Sequence, residues 1–136
     1  MPRLSVWAIR LALCHLLLGF TIGALLLAHK GIPFAPWLWR LLPAHMEFLL
    51  FGWTVQLAMG VAYWILPRFP GGERRREGWA RLAILTLNGG LWLVALGPLA
   101  PATLPLMVLG RGLEMGATVA FALHSWPRVK PMMAHE

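Results

Sequence analysis

The sequence predicts an all-α protein, a bundle of four helices that each cross a membrane. Three observations predict it: an unusually apolar composition, four long apolar runs, and short interruptions rich in proline and glycine. Of the 136 residues, 59% are hydrophobic and 12% are charged, whereas a soluble domain has about 45–50% apolar and about 25% charged residues. A membrane-spanning helix needs about 20 residues, so the chain has room for four or five spans and for no additional soluble domain.

The apolar runs define the predicted spans of this single transmembrane domain. They cover residues 5–28, 41–66, 79–97 and 102–125. Proline and glycine follow the first and second runs and proline follows the third, and proline cannot continue a helix. Because the connections are short, neighbouring helices are expected to alternate up and down. The first run also has features of a signal peptide, but it is too long for the apolar region of one and lacks a clear cleavage site. We therefore interpret it as a true span.

The basic residues predict the orientation of the chain. The formal net charge is +7, but the basic residues lie between apolar runs, which is typical of a membrane protein and not of a nucleic-acid-binding surface. Nine fall on one side of the predicted membrane: Arg3, Arg10, Arg68, Arg74, Arg75, Arg76, Arg81, Arg128 and Lys130. Two fall on the other side, Lys30 and Arg40. This bias predicts a multi-pass protein of the inner (cytoplasmic) membrane with both termini in the cytoplasm. It explains the charged run 73–77 better than a recognition patch does.

Polar side chains near the middle of the predicted spans form a second group of interest, because an ionisable group inside lipid needs a partner or a use. Counting from the span ends at 1.5 Å per residue brings five such residues to about the same depth: His15, Gln56, Asn88, Arg111 and Glu114. Arg111 and Glu114 are three residues apart on one helix and are expected to pair, with His15 or Asn88 completing the set. The group fits a hydrogen-bonded cluster that fixes the bundle, and it also fits a proton path or a cluster beneath a cofactor.

The sequence also contains a single cysteine, a pair of spaced glycines and several tryptophans near the span ends. Cys14 is the single cysteine, which excludes an intrachain disulfide, and we interpret it as a small packed side chain. Gly112 and Gly116 form a Gly-x-x-x-Gly pair, which allows close helix packing either inside the bundle or between copies. Five tryptophans lie near predicted span ends, where an aromatic belt is expected: Trp37, Trp39, Trp64, Trp79 and Trp126.

The second span carries the most specific pattern. At about 100° per residue, His45, Gly52, Gln56 and Tyr63 fall on one face, and Glu47 falls on the opposite side with Thr54. A glycine beneath a ligand histidine leaves room for a flat macrocycle, which favours haem over a compact metal site. As a second ligand we consider His29, which lies at a similar depth. His124 lies five or six turns away and cannot share the iron within one chain.

The stretch AHMEFLLFGW (residues 44–53), continuing to GVAYWILPRF (residues 60–69), resembles the second transmembrane helix of haem–copper oxidase subunit I. The likeness is closest to the cbb3-type oxidase and nitric-oxide-reductase branch. The shared features are a histidine near the outer surface, a Gly-Trp seven residues later and a Pro-Arg exit. In that family the histidine is an axial ligand of the low-spin haem, so the resemblance implies that His45 binds haem b.

The resemblance also implies an oligomer. The family's catalytic subunit has about twelve helices in three equivalent groups of four, and a four-helix chain could rebuild that barrel as a homotrimer. One chain lacks the further histidines that oxygen reduction needs, so electron transfer or gas and redox sensing is expected instead. Three alternatives remain: copper or zinc held by several copies of His45, a structural or assembly subunit of a respiratory complex, and a quinol site near His45, Trp37 and Trp39.

Overall fold

The computed structural model describes residues 1–67, 77–100 and 103–129, and every regular element in these ranges is a helix. Four long helices follow one another along the chain: α1 Arg3–Gly31, α2 Pro36–Ile65, α3 Glu77–Leu96 and α4 Thr103–Ser125. Short 3-10 turns extend α3 over Gly97–Leu99 and α4 over Trp126–Arg128. Each helix is long and apolar enough to cross a membrane. The all-α, four-span prediction is confirmed at this level.

Some sequence-based predictions concern residues outside the described ranges. These are Arg68, Phe69, the basic run 73–76, and Lys130. The Pro-Arg-Phe exit of the second span and most of the predicted cytoplasmic charge cluster therefore belong to this group.

The surface of the bundle is apolar, as a lipid-facing surface requires. Large side chains such as Leu17, Leu27, Leu85 and Leu104 are each about 70% exposed. The five tryptophans assigned to the aromatic belt all lie on the surface near helix ends, and Trp126 has the greatest exposure at 82%. Cys14 also lies on this surface, so the prediction that it packs inside the bundle was wrong.

Small residues bring α1 and α2 together. Ser5 Oγ donates to the Gly60 carbonyl at 2.6 Å, and a Cβ on Gly60 would lie 3.1 Å from that of Ala8. Farther along, Gly19 leaves space for Leu49. Residue numbers rise along α1 as they fall along α2, so these two helices run in opposite directions.

Glycines also set the contact between α3 and α4. A Cβ added to Gly90 would lie 2.6 Å from the Gly110 carbonyl oxygen, and one added to Gly110 would lie 2.8 Å from the Gly90 oxygen. The two backbones therefore touch at this point. By contrast, Gly112 and Gly116 have no atom of another described helix within 4 Å of their Cβ positions, so the Gly-x-x-x-Gly pair does not pack against the described part of the bundle.

α2 is not a regular α-helix. It begins as a 3-10 helix over Pro36–Leu41, continues as an α-helix over Leu42–Glu47, widens to a π-helix over Phe48–Val55, and returns to an α-helix over Gln56–Ile65. The Thr54 hydroxyl donates to the Leu49 carbonyl five residues earlier. A π segment turns less per residue than an α-helix, so side chains after Phe48 point in directions that a constant 100° step does not give.

Candidate site around His45

His45 lies on α2 against the C-terminal half of α1, where its ring packs on two glycines. Its Nδ1 bonds to the Gly19 carbonyl oxygen at 2.8 Å. A Cβ on Gly23 would lie 2.5 Å from the imidazole Cε1, so the ring lies directly against the Gly23 backbone. Gly19 and Gly23 are one helical turn apart, and together they fix where the ring sits and which way it faces.

The hydrogen bond to Gly19 also fixes the tautomer of His45. A carbonyl oxygen only accepts, so Nδ1 carries the proton, and in the neutral ring Nε2 keeps its lone pair. Metal-binding histidines have this arrangement, in which the nitrogen that does not bind the metal donates to a carbonyl or carboxylate. The Nε2 lone pair of His45 is therefore available to a ligand outside the chain.

A groove of about 260 Å³ runs beside the His45 ring between α1 and α2. Its walls are mostly apolar and include one lysine, Lys30. The lining residues are Gly23, Leu26, Leu27, Lys30, Trp39, Leu42 and His45. The groove opens toward the outside of the bundle. An apolar surface with one imidazole and one ammonium group suits a flat, hydrophobic ligand that carries a carboxylate. The apolar walls can contact the hydrophobic part of such a ligand, and the ammonium group can pair with its carboxylate.

His29, the expected second ligand, has a different role. It is buried, and its Nδ1 accepts hydrogen bonds from the backbone N–H groups of Phe34 and Ala35 at 3.0 and 3.1 Å. An Nδ1 that accepts leaves the neutral ring with its proton on Nε2, so neither nitrogen has a lone pair to offer. His29 instead holds the turn between α1 and α2, and it does not fit the role of axial ligand.

Side chains of the same chain fill the space beside Gly52. A Cβ at this position would lie 2.7 Å from His15 Cγ and 2.8 Å from Leu91 Cδ1. His15 Nδ1 lies 3.3 Å from the Gly52 carbonyl oxygen, and its ring stacks on Phe48 with centroids 5.6 Å apart. The space expected here for a macrocycle therefore belongs to the side chain of His15. The glycine that gives His45 an open flank is Gly23.

The predicted layer of polar residues divides into separate groups. Gln56 is fully buried, and it donates to the Ala8 carbonyl at 3.1 Å. Asn88 donates to Gln56 Oε1 at 2.9 Å and to the Ile84 carbonyl at 2.7 Å. These amides connect α1, α2 and α3 through hydrogen bonds. They therefore act as the predicted hydrogen-bonded cluster that fixes the bundle. Gln56 is thus committed to helix packing and does not line the groove at His45.

The second group is a charged cluster of Glu47, Arg111 and Glu114. Arg111 Nη1 donates to Glu114 Oε2 at 2.8 Å, which confirms the predicted pair. The partner that completes the set is Glu47, whose Oε1 lies 2.5 Å from Arg111 Nη2, and not His15 or Asn88. The guanidinium also lies over the ring of Phe51, with its Cζ 5.4 Å from the ring centroid. Both carboxylates are buried, at 3% and 4% side-chain exposure.

Glu47 does not share a side of α2 with Thr54. Glu47 and Thr54 were expected to share one side of α2, but Glu47 is buried against α4 and Thr54 is exposed. The π segment lies between them and changes the angle that separates them. The position of each charge along its helix could have indicated the pair. Glu47 and Arg111 each lie roughly two to three turns from the N-terminal end of their helices, so a charge pair could have been proposed from their similar depth in the membrane.

Tyr63 is buried, like Gln56, but it lies far from the site at His45. It lies 18 residues beyond His45, which is roughly 27 Å along a helix at 1.5 Å per residue, and its ring stacks on His124 with centroids 5.3 Å apart. In the described part of the chain, no three histidine, cysteine, aspartate or glutamate side chains come together to hold a metal ion. Any metal at His45 therefore needs a cofactor or a second molecule to complete its ligands.

Comparisons with models of protein families, with curated proteins and with solved structures gave no match for this chain.

Proposed function

We propose that this chain is a small membrane protein that binds haem b through His45 and serves in electron transfer or in gas or redox sensing. The observation that carries the proposal is the hydrogen bond from His45 Nδ1 to the Gly19 carbonyl, which directs the Nε2 lone pair to a metal. The apolar groove beside the ring supports a porphyrin, and Lys30 in its lining supports a carboxylate-bearing one. The bound haem would supply a one-electron redox centre.

The proposal includes a homo-oligomer and an orientation. Because His29 does not fit as a second ligand, His45 is the residue of this chain that would hold the haem, and a neighbouring chain or a gas would supply any further ligand. The trimer implied by the family resemblance remains a prediction. The excess of basic residues on one side of the spans supports both termini in the cytoplasm and insertion in the inner membrane. His45 then lies near the outer surface, where an electron-transfer partner of the respiratory chain or a quinol could reach the groove.

An absorption spectrum of the detergent-purified protein, loaded with haem, tests the proposal. We expect a Soret band that disappears in His45→Ala and persists in His29→Ala, because of these two imidazoles that of His45 keeps a free lone pair and that of His29 does not. His29→Ala is the matched control, since it removes a buried imidazole at a similar depth. A Soret band that survives in His45→Ala, or that disappears equally in both variants, contradicts the proposal. Colourless wild-type protein that holds copper or zinc would overturn the haem assignment in favour of a bare metal.

A second prediction concerns the glycine beneath the ring. Valine at position 23 would occupy the place of the His45 ring, since even a Cβ there lies 2.5 Å from Cε1. We expect Gly23→Val to lose the Soret band while the far-ultraviolet circular dichroism stays helical. Gly31→Val is the control, because no atom of another described element lies within 4 Å of its Cβ position. Equal haem retention in the two variants would show that the position of the His45 ring does not matter for binding.

A further inference from the structure

A cavity of about 390 Å³ lies between the N-terminal ends of α1 and α3. Its lining residues are Arg3, Leu4, Trp7, Glu77 and Arg81. Arg3 and Glu77 are the first residues of their helices, so the cavity lies at one end of the bundle. This is the end with the excess of basic residues, which we propose to face the cytoplasm.

The depth of this cavity matches the headgroup region of a bilayer. α1 has 29 residues, which corresponds to about 44 Å at 1.5 Å per residue, whereas the hydrocarbon core of a bilayer is about 30 Å thick. The excess length places the ends of the helix in the polar region. Trp7 is exposed one turn after Arg3, and tryptophan is enriched at this depth because its ring contacts lipid while its indole N–H donates to polar groups.

The side chains that line the cavity carry a net positive charge, because two guanidinium groups face one carboxylate. Arg81 Nη2 donates to Glu77 Oε1 at 3.2 Å, which leaves most of the five N–H donors of that guanidinium unused. Arg3 is exposed and forms no ion pair with another described residue. Guanidinium groups bind phosphate through paired, charge-assisted hydrogen bonds. The unused donors of the two arginines therefore suit a phosphate group.

The surface next to the cavity suits acyl chains. Leu85 lies one turn after Arg81 on α3 and is 71% exposed, and Leu11 lies one turn after Trp7 on α1 and is also exposed. Residues four apart share a helix face, so these leucines continue the surface of the cavity toward the middle of the membrane. A phospholipid can contact both parts of this surface, with its phosphate at the arginines and its hydrocarbon along the leucines. A free phosphate can contact only the first part.

We propose that this cavity binds an anionic phospholipid, with the phosphate between Arg3 and Arg81 and the acyl chains along the exposed leucines. Basic pockets between transmembrane helices on the cytoplasmic side bind anionic headgroups. The net positive charge of the lining favours phosphatidylglycerol, which is anionic, over phosphatidylcholine, which has no net charge. The cavity and the His45 groove lie at opposite ends of α1, so the inference stands apart from the proposed haem binding.

Native mass spectrometry of the detergent-purified protein with added lipid tests the site. We expect each chain to retain one phosphatidylglycerol, with a dissociation constant at least about tenfold below that for phosphatidylcholine. Arg3→Gln and Arg81→Gln should each raise the dissociation constant for phosphatidylglycerol about tenfold, which corresponds to about 1.4 kcal/mol. Both side chains are exposed, so neither change should unfold the bundle. Arg40→Gln is the control, because it removes an exposed arginine at the other end of the bundle, and it should leave the constant unchanged.

Three results of this experiment would overturn the proposal. Equal losses of affinity in Arg3→Gln, Arg81→Gln and Arg40→Gln would show that overall charge is responsible. Equal affinities for phosphatidylglycerol and phosphatidylcholine would show that the cavity does not select an anionic lipid. Displacement of phosphatidylglycerol by inorganic phosphate at the same concentration would show that the site binds a soluble phosphate and not a lipid.

Fluorescence quenching in phosphatidylcholine vesicles supplies a second measurement, with phosphatidylglycerol brominated on its acyl chains as the quencher. The signal of Trp7 is the difference between the wild type and Trp7→Phe. Trp126→Phe gives the control signal, because Trp126 is 82% exposed at the same end of the bundle but does not line the cavity. We expect Trp7 to be quenched at a lower fraction of brominated lipid than Trp126, and Arg81→Gln to remove this difference. Quenching of both tryptophans at the same fraction in the wild type contradicts a specific site.

Discussion

Arg111→Gln is expected to lower the free energy of unfolding by about 3–5 kcal/mol, the usual cost of removing one partner from a buried charge cluster. The two carboxylates of Glu47 and Glu114 are nearly inaccessible, and Arg111 is the cation that contacts both. Glutamine keeps a polar side chain of similar length but removes the charge. The measurement is an unfolding titration with SDS in mixed micelles, followed by circular dichroism.

The chain contains a matched control for this prediction. Arg81 also pairs with a glutamate on its own helix, Glu77, at 3.2 Å, but that pair is 64% and 41% exposed. Exposed pairs contribute about 0–1 kcal/mol, so Arg81→Gln should be nearly neutral. The triple variant Glu47→Gln, Arg111→Gln and Glu114→Gln should recover most of the loss, because it leaves no unpaired charge. If Arg111→Gln unfolds at the same SDS fraction as Arg81→Gln, the cluster does not stabilise the bundle.

The charged cluster shows what the sequence could and could not predict. Arg111 and Glu114 were predictable as a pair because a spacing of three residues on a helix determines their proximity. Glu47 comes from a different helix, and its direction depends on where α2 widens into a π-helix. Nothing in the stretch from Phe48 to Val55 marks that change, since a π segment is a response to packing and to local hydrogen bonds such as that of Thr54.

At His45, too, one part of the site could be predicted from the sequence and another part could not. The imidazole itself could be identified from the sequence, because a histidine at the end of an apolar span requires explanation. Its tautomer could not, because the proton on Nδ1 depends on the carbonyl of Gly19, which belongs to another helix. His29 shows the opposite outcome: an imidazole at a similar depth binds two backbone N–H groups and loses its capacity as a ligand. Only tertiary contacts separate the two.

The sequence does not distinguish the glycines that pack against a neighbouring helix from those that face outward. The pair Gly112 and Gly116 has the spacing of a packing motif, yet it faces away from the bundle. Gly90 and Gly110 lie on different helices and share no local motif, yet their backbones touch. The difference depends on which side of each helix faces its neighbour, and hydrophobic periodicity is weak in membrane spans because the outer surface is apolar as well.

The contact between Gly90 and Gly110 leads to the second large effect. Gly90→Ala is expected to destabilise the bundle by about 1–3 kcal/mol, the usual cost of overpacking. Its Cβ would lie 2.6 Å from the Gly110 carbonyl oxygen and 2.9 Å from Glu114 Cγ. The first of these atoms is backbone and cannot rotate away, so α3 and α4 must separate. The same SDS titration measures the loss.

Gly89→Ala tests whether this loss comes from the helix contact or from the substitution itself. Gly89 precedes Gly90 on α3, but it is exposed, and its Cβ would meet only Leu113 Cδ1, at 3.8 Å. Alanine has the higher helix propensity by about 1 kcal/mol, so this variant should be neutral or slightly more stable than wild type. Adjacent glycines are thus expected to respond to the same substitution with opposite signs. If both variants shift in the same direction by the same amount, the close approach of α3 and α4 at Gly90 is wrong.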